Sequence, residues 1–139
     1  MVPEINLWAV LAATVSTMVV GSIWYARPVF GNWWMKQARV EPGGSAVVPI
    51  LTTLVVSFIS SVVLAGAISI VYVFYDKQNF LLDAILTALI FWAGFTAARI
   101  ITHDAFENRP RLLTLLTISH ELVTFLVMGL VIGLFGYAG

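Results

Sequence analysis

The sequence predicts an all-α integral membrane protein: a four-transmembrane-helix bundle with a short interfacial helix after helix one. Three observations carry that reading. Apolar residues make up 60% of the 139 residues and charged residues only 10%, well below the roughly 25% of a soluble domain. Mean hydropathy is +0.98. The few charges are spaced so that the stretches between them can each cross a hydrocarbon core, which takes about 20 apolar residues.

The first stretch lies between Glu4 and Arg27 and predicts a helix over about 5–26. Its amino end, MVPEIN, has no basic segment, and no small-residue cleavage site with a soluble domain follows, so it reads as a membrane helix rather than a signal peptide. The second stretch, between Glu41 and Asp76, predicts a helix over 49–75, with Pro49 in a first turn that tolerates proline. The third predicted helix, 80–103, carries Asp83 near its start and Arg99 near its end. The fourth, 112–136, follows Arg109-Pro110-Arg111. The chain reads as a single domain over 1–139.

Between the first two spans, Trp24 and Tyr25 are followed by Phe30, Trp33 and Trp34, then by Lys36 and Arg39. Aromatic rings with one polar tip favour the headgroup level, and Pro28 suits the opening of a surface helix over about 29–38. Trp24, Tyr25, Trp33 and Trp34 are therefore expected to be an interfacial anchor, with membrane lipids as partners. Glu41-Pro-Gly-Gly-Ser reads as a flexible hinge.

Arg27, Lys36 and Arg39 lie on one side of this arrangement with Arg109 and Arg111, while the opposite side holds only Lys77. By the positive-inside rule the basic loops face the cytoplasm and both termini face outward, in a cell (inner) membrane.

Lipid tails offer no hydrophobic drive between helices, so association depends on close packing and interhelical hydrogen bonds. Small residues recur at four-residue spacing in Ala9, Ala13, Thr17 and Gly21, and in Thr53, Ser57, Ser61, Ala65 and Ser69. Gly94 and Ala98, then Gly129 and Gly133, continue the pattern. The rows fit packing within the chain or against a second copy, so a homo-oligomer or a complex with another membrane protein is expected.

Balanced charge, seven Lys/Arg against seven Asp/Glu, leaves no footprint for nucleic acid. The absence of cysteine removes disulfides, thiol nucleophiles and iron–sulfur clusters. With no nucleophile elbow, phosphate loop or dinucleotide fingerprint, neither an enzyme nor a cofactor is expected.

The ionisable residues gather where helices three and four approach their shared loop. Thr96, Arg99 and His103 fall on one face of helix three, with Asp104 and Glu107 beyond. Thr114, Thr117, His120, Glu121 and Thr124 form a polar stripe on helix four. Glu121, ten residues in, lies about 15 Å deep at a rise of 1.5 Å per residue, near the bilayer midplane. A hairpin centred on Asn108 sets Arg99 level with Ile118, which predicts a buried Arg99–Glu121 ion pair padded by the threonines and His120. Alternatively, Glu121 and His120 form a proton site, since intramembrane ionisable groups mark ion and substrate paths. The spacing of His103 and Glu107 suits metal ligands, but His120-Glu121 lacks the second histidine of a zinc-protease helix. No metal is expected.

Asn6-Leu-Trp, Gly21-x2-Trp24-Tyr25, Phe30-Gly31 and Trp34-Met35-Lys36 together resemble an uncharacterised membrane family, domain of unknown function 1761. Trp92-x-Gly94-Phe95, Phe106-x2-Arg109-Pro110 and Met128-Gly129 fit the same pattern. Arg27 stands where the family usually has proline, and Asn108 where it has glycine. The resemblance implies a small four-span bacterial membrane protein and brings no known activity. The functional expectation is a non-enzymatic structural or accessory membrane component, or one that self-associates. The alternative is a proton-coupled small-solute transporter or channel using Glu121.

Overall fold

The computed structural model describes residues 3–40, 43–75 and 77–139, and these contain helices and connecting turns but no strand. Helix α1 (Leu7–Trp24) leads through a wide turn at Arg27–Gly31 into the short α2 (Asn32–Ala38). Next comes α3 (Val47–Phe74). Helix α4 (Phe80–Phe91) continues through a second wide turn, Trp92–Ala97, into α5 (Ala98–Phe106), and α6 (Arg111–Phe135) closes the chain. Four helical stretches are long and apolar enough to cross a membrane: Leu7–Trp24, Val47–Phe74, Phe80–Phe106 and Arg111–Phe135.

Helix ends leave backbone N–H groups without intrahelical partners. At α1 the Trp8 and Ala9 N–H groups donate to the Asn6 side chain at 3.0 and 3.4 Å. At α4 the Leu82 N–H donates to Asn79 at 3.0 Å. The wide turn after α1 depends on Gly31, whose N–H donates to the Ala26 carbonyl at 2.9 Å. A Cβ there would strike the Tyr25 carbonyl oxygen and lie 2.9 Å from Ala26 C, so no larger residue fits without moving backbone. Of the expected hinge, Glu41 and Pro42 lie outside the described residues, and Gly43 has a left-handed φ of 105° that suits glycine.

Helix α6 rests on α1 and α4, α3 rests on the same two helices from the other side, and α3 and α6 barely touch. The core is made by Ala9, Val10 and Ala13 of α1, Leu64, Ala65 and Ile68 of α3, Ala84 and Ala88 of α4, and Met128 and Ile132 of α6. All of these lie in the half of the bundle remote from the basic loops. Small residues bring the backbones together there, as membrane packing requires. A Cβ on Gly129 would lie 2.9 Å from Ala88 Cβ and 3.0 Å from the Ala84 carbonyl, and one on Gly133 would lie 2.7 Å from Leu81 Cδ1. That glycine pair is thus used within the chain, between α6 and α4. The α1–α3 contact is polar as well as small: the Thr14 hydroxyl donates to Ser61 Oγ at 3.3 Å, and Ser69 Oγ donates to the Glu4 carbonyl.

Other small-residue positions, Gly94 and Thr53 among them, do not pack. A Cβ on Gly94 would meet nothing within 4 Å. Thr53 is exposed and Ser57 half-buried, because the first half of α3 stands away from the bundle until Ser61. This splay opens the cleft described next.

Candidate functional site: a hydroxyl-lined cleft at His120 and Glu121

Between α1, the first half of α3 and α6 lies a cleft of about 640 Å³. Its floor is α6, with His120, Glu121, Thr124, Phe125 and Met128. Helix α1 contributes Thr17, Met18, Gly21, Ser22 and Tyr25, and α3 contributes Pro49 to Ser60 on its inward side, Thr53 and Ser57 among them.

His120 Nδ1 stands 3.4 Å from Glu121 Oε1, and the two side chains are 14% and 31% exposed. The contact is an ion pair when the imidazole is protonated and a hydrogen bond when its Nδ1 carries the proton of the neutral ring. The imidazole sits among aromatic rings, with its centroid 4.9 Å from Tyr25 and 5.9 Å from Trp24. On the α1 side it lies over Gly21, where a Cβ would stand 3.8 Å from His120 Nε2, in ordinary van der Waals contact. Burial pushes the Tyr25 hydroxyl up to about 12, and the negative charge of Glu121 adds to the shift.

The ion pair expected from the sequence does not form. Asn108 turns the hairpin with a left-handed φ of 55°, and the register is as expected, with Thr114 bonded to Asp104 at 2.7 Å and Gly129 against Ala88. The face is not. Helix α4 presents Ala84 and Ala88 to α6, and an unbroken α-helix would continue that stripe through Trp92 to Thr96, Arg99 and His103. The wide turn at Trp92–Ala97 holds one extra residue per turn. The inward stripe therefore moves to Ala97 and Asp104, which are buried, while Arg99 and His103 are exposed and Thr96 is half-buried. Among the described residues Arg99 and Glu121 do not pair.

The polar stripe of α6 is divided among different tasks. Thr114 bonds Asp104. Thr117 donates to its own helix at Leu113 at 3.0 Å. Of the threonines named, Thr124 lines the cleft beside His120 and Glu121, donating to the His120 carbonyl at 2.9 Å with its oxygen 3.5 Å from His120 Nε2. The anchor residues also divide. Tyr25 packs on Trp34 at 5.4 Å between ring centroids and Trp24 on Phe30 at 4.8 Å. Trp24, Phe30 and Trp33 line a second, apolar cleft of about 530 Å³ with Leu112, Leu115 and Leu116. Tyr25 and Trp24 thus reach inward to His120, a role that composition alone did not signal. The hydroxyl residues of α1 and α3 recur at the spacing of one helix face, and that spacing is the sequence signal that they can share a cleft with α6.

His103, Asp104 and Glu107 form a separate cluster at the loop, their ligand atoms within 4.8 Å of one another. It is internally satisfied. His103 Nδ1 lies 3.6 Å from both carboxylates, and Arg109 lies 3.9 Å from Asp104 and 3.7 Å from Glu107. Arg109 supplies the positive charge that a cation would bring.

A sequence profile described as "Protein of unknown function (DUF1761)" matches residues 8–133. The chain belongs to this family. The match runs from Trp8 to Gly133, and so takes in every element that lines the cleft of this DUF1761 protein. No curated protein and no solved structure matches the chain.

Proposed function

We propose that the chain is a small membrane transport protein. Its cleft receives a solute from the side of the basic loops, the cytoplasmic side in this reading, and the His120–Glu121 pair exchanges a proton for it. The observation that carries the reading is the cleft of about 640 Å³ reaching a partly exposed carboxylate. Glu121 lies ten residues along α6, about 15 Å from its start. The adjacent His120 packs on Trp24 and Tyr25 at the end of α1, and an ionised carboxylate partly withdrawn from water there carries a desolvation cost, so it marks a path or a partner. Its contact is a titratable imidazole rather than a fixed guanidinium. A purely structural role would favour a dry, permanently neutralised pair. The tightly packed half of the bundle acts as the closed end of the path. The aromatic cleft at Trp24, Phe30 and Trp33 takes lipid acyl chains.

The test uses the reconstituted protein in vesicles that hold a pH-sensitive dye and an imposed proton gradient. A panel of small amines, carboxylates, amino acids and sugars is added in turn. The expected result is that at least one class relaxes the gradient with wild-type protein, and that none does with Glu121→Gln. Relaxation no faster than in empty vesicles for every class would overturn the proposal.

A further inference from the structure

The donor pattern of the cleft identifies the kind of solute. We infer that it binds a primary ammonium cation carried on an apolar body, with Glu121 as counter-ion; this rests on reading the cleft as a solute site. Among the described residues that line it, Glu121 is the one carboxylate, His120 is the other titratable group besides Tyr25, and no Lys or Arg is present. The protein as a whole carries no net charge, so the negative character is local to the cleft. An anion would meet the like charge of a carboxylate that is 31% exposed, and Coulomb repulsion at close range disfavours it.

The hydroxyl groups sharpen the choice. A hydroxyl has one proton to give and two lone pairs to offer. Thr17 gives its proton to the Thr14 carbonyl at 2.7 Å, and Ser22 to Met18 at 2.7 Å. Thr53 gives its proton to Pro49 at 2.8 Å, and Thr124 to His120 at 2.9 Å. While Thr52, Ser57 and Ser60 can turn their hydroxyls either way, the four oxygens whose protons are committed to helix carbonyls present acceptors to the cleft. A ligand rich in N–H donors satisfies them, and one rich in acceptors does not. The Tyr25 ring beside Glu121 favours a cation again, through its negative face. Met18, Val56, Phe125 and Met128 supply the apolar wall, and methionine adapts to irregular shapes. The volume falls within the range of pockets that hold drug-sized ligands.

The experiment measures binding to the full-length protein in lipid nanodiscs by calorimetry, with three probes of one skeleton: phenylbutylammonium, phenylbutanol and phenylbutyrate. Saturable binding of the ammonium is expected, with affinity at least about tenfold above either other probe, a difference of about 1.4 kcal/mol. Glu121→Gln should lose at least about tenfold for the ammonium alone. Ser57→Phe, which fills the cleft from the splayed half of α3, should lose binding with the carboxylate intact, and this guards against a folding defect in the glutamine variant. Equal affinity for the three probes, or ammonium binding unchanged in both variants, overturns the inference. Gradient relaxation driven only by the alcohol or the carboxylate overturns the cation while leaving transport standing. Ammonium binding without gradient relaxation upholds the cation site and overturns transport.

Discussion

The Thr114 hydroxyl donates to the buried Asp104 carboxylate at 2.7 Å, joining α6 to α5 across their hairpin. Asp104 is 4% exposed and is also approached by His103 at 3.6 Å and Arg109 at 3.9 Å. One buried carboxylate thus ties the two helices to the turn between them. The same contact records the register of the hairpin.

That contact predicts a measurable loss. Hydrogen bonds to charged groups contribute about 1.5–3 kcal/mol, and an unsatisfied buried acceptor retains its desolvation penalty. Thr114→Val should therefore destabilise the protein by about that amount. Asp104→Asn should cost less in the Thr114→Val background than in the wild type. Thermal unfolding of the four proteins in one detergent checks this, and additive losses would show that the bond contributes little.

The glycines predict opposite outcomes for the same substitution. Gly129→Ala forces a methyl to within 2.9 Å of Ala88 Cβ and 3.0 Å of the Ala84 carbonyl, and overpacking of this kind costs about 1–3 kcal/mol. Gly94→Ala meets nothing within 4 Å and relieves the backbone entropy of glycine, a gain of roughly 0.5–1 kcal/mol. Melting temperatures should move down for the first and stay level or rise for the second. Similar shifts for both would place the α4–α6 contact elsewhere.

Arg99 and Glu121 predict independence. Arg99 is exposed and Glu121 faces the cleft, so Arg99→Met and Glu121→Gln should have effects on stability that add to within about 0.3–0.5 kcal/mol. A double variant markedly more stable than the sum of the single ones would restore the ion pair between them.

What the sequence made legible follows from physics that acts along the chain. Long apolar stretches, the first two free of charge and the other two with few charges, made four spanning helices legible, since insertion responds to summed hydropathy. The hairpin register followed from counting out from Asn108, because the rise per residue is constant. What was not legible depends on rotation and tilt. The extra residue at Trp92–Ala97 turned Arg99 away and Asp104 inward, and an apolar run such as Trp-Ala-Gly-Phe carries no local mark of a wide turn. The splay of α3 was equally hidden: Ser57 and Ser61 belong to one row, yet Ser61 is buried against α1 while Ser57 lines the cleft. Small size permits close packing without enforcing it, so the partner helix decides which serine is used.

Tyr25 supplies a prediction with a definite sign. Its hydroxyl is raised from 10.0 to about 12, first by burial and second by the Glu121 carboxylate. The folded protein thus holds its proton where the unfolded chain has already released it. Stability linked to this group is fully present below pH 10, falls as pH rises, and is lost by about pH 12. Comparing wild type with Tyr25→Phe isolates the effect, because phenylalanine keeps the ring against His120 and Trp34 and removes the ionisation. The melting temperature of the wild type should fall relative to the variant only across that alkaline interval. Tyrosinate absorbance gives a second measurement, in which one of the four tyrosines should titrate late. In Glu121→Gln that tyrosine should titrate somewhat earlier yet still above its usual range, since burial is the larger cause and remains. An unchanged late titration in Glu121→Gln would mean that the carboxylate does not face Tyr25, and would remove Glu121 from the cleft on which the transport reading depends.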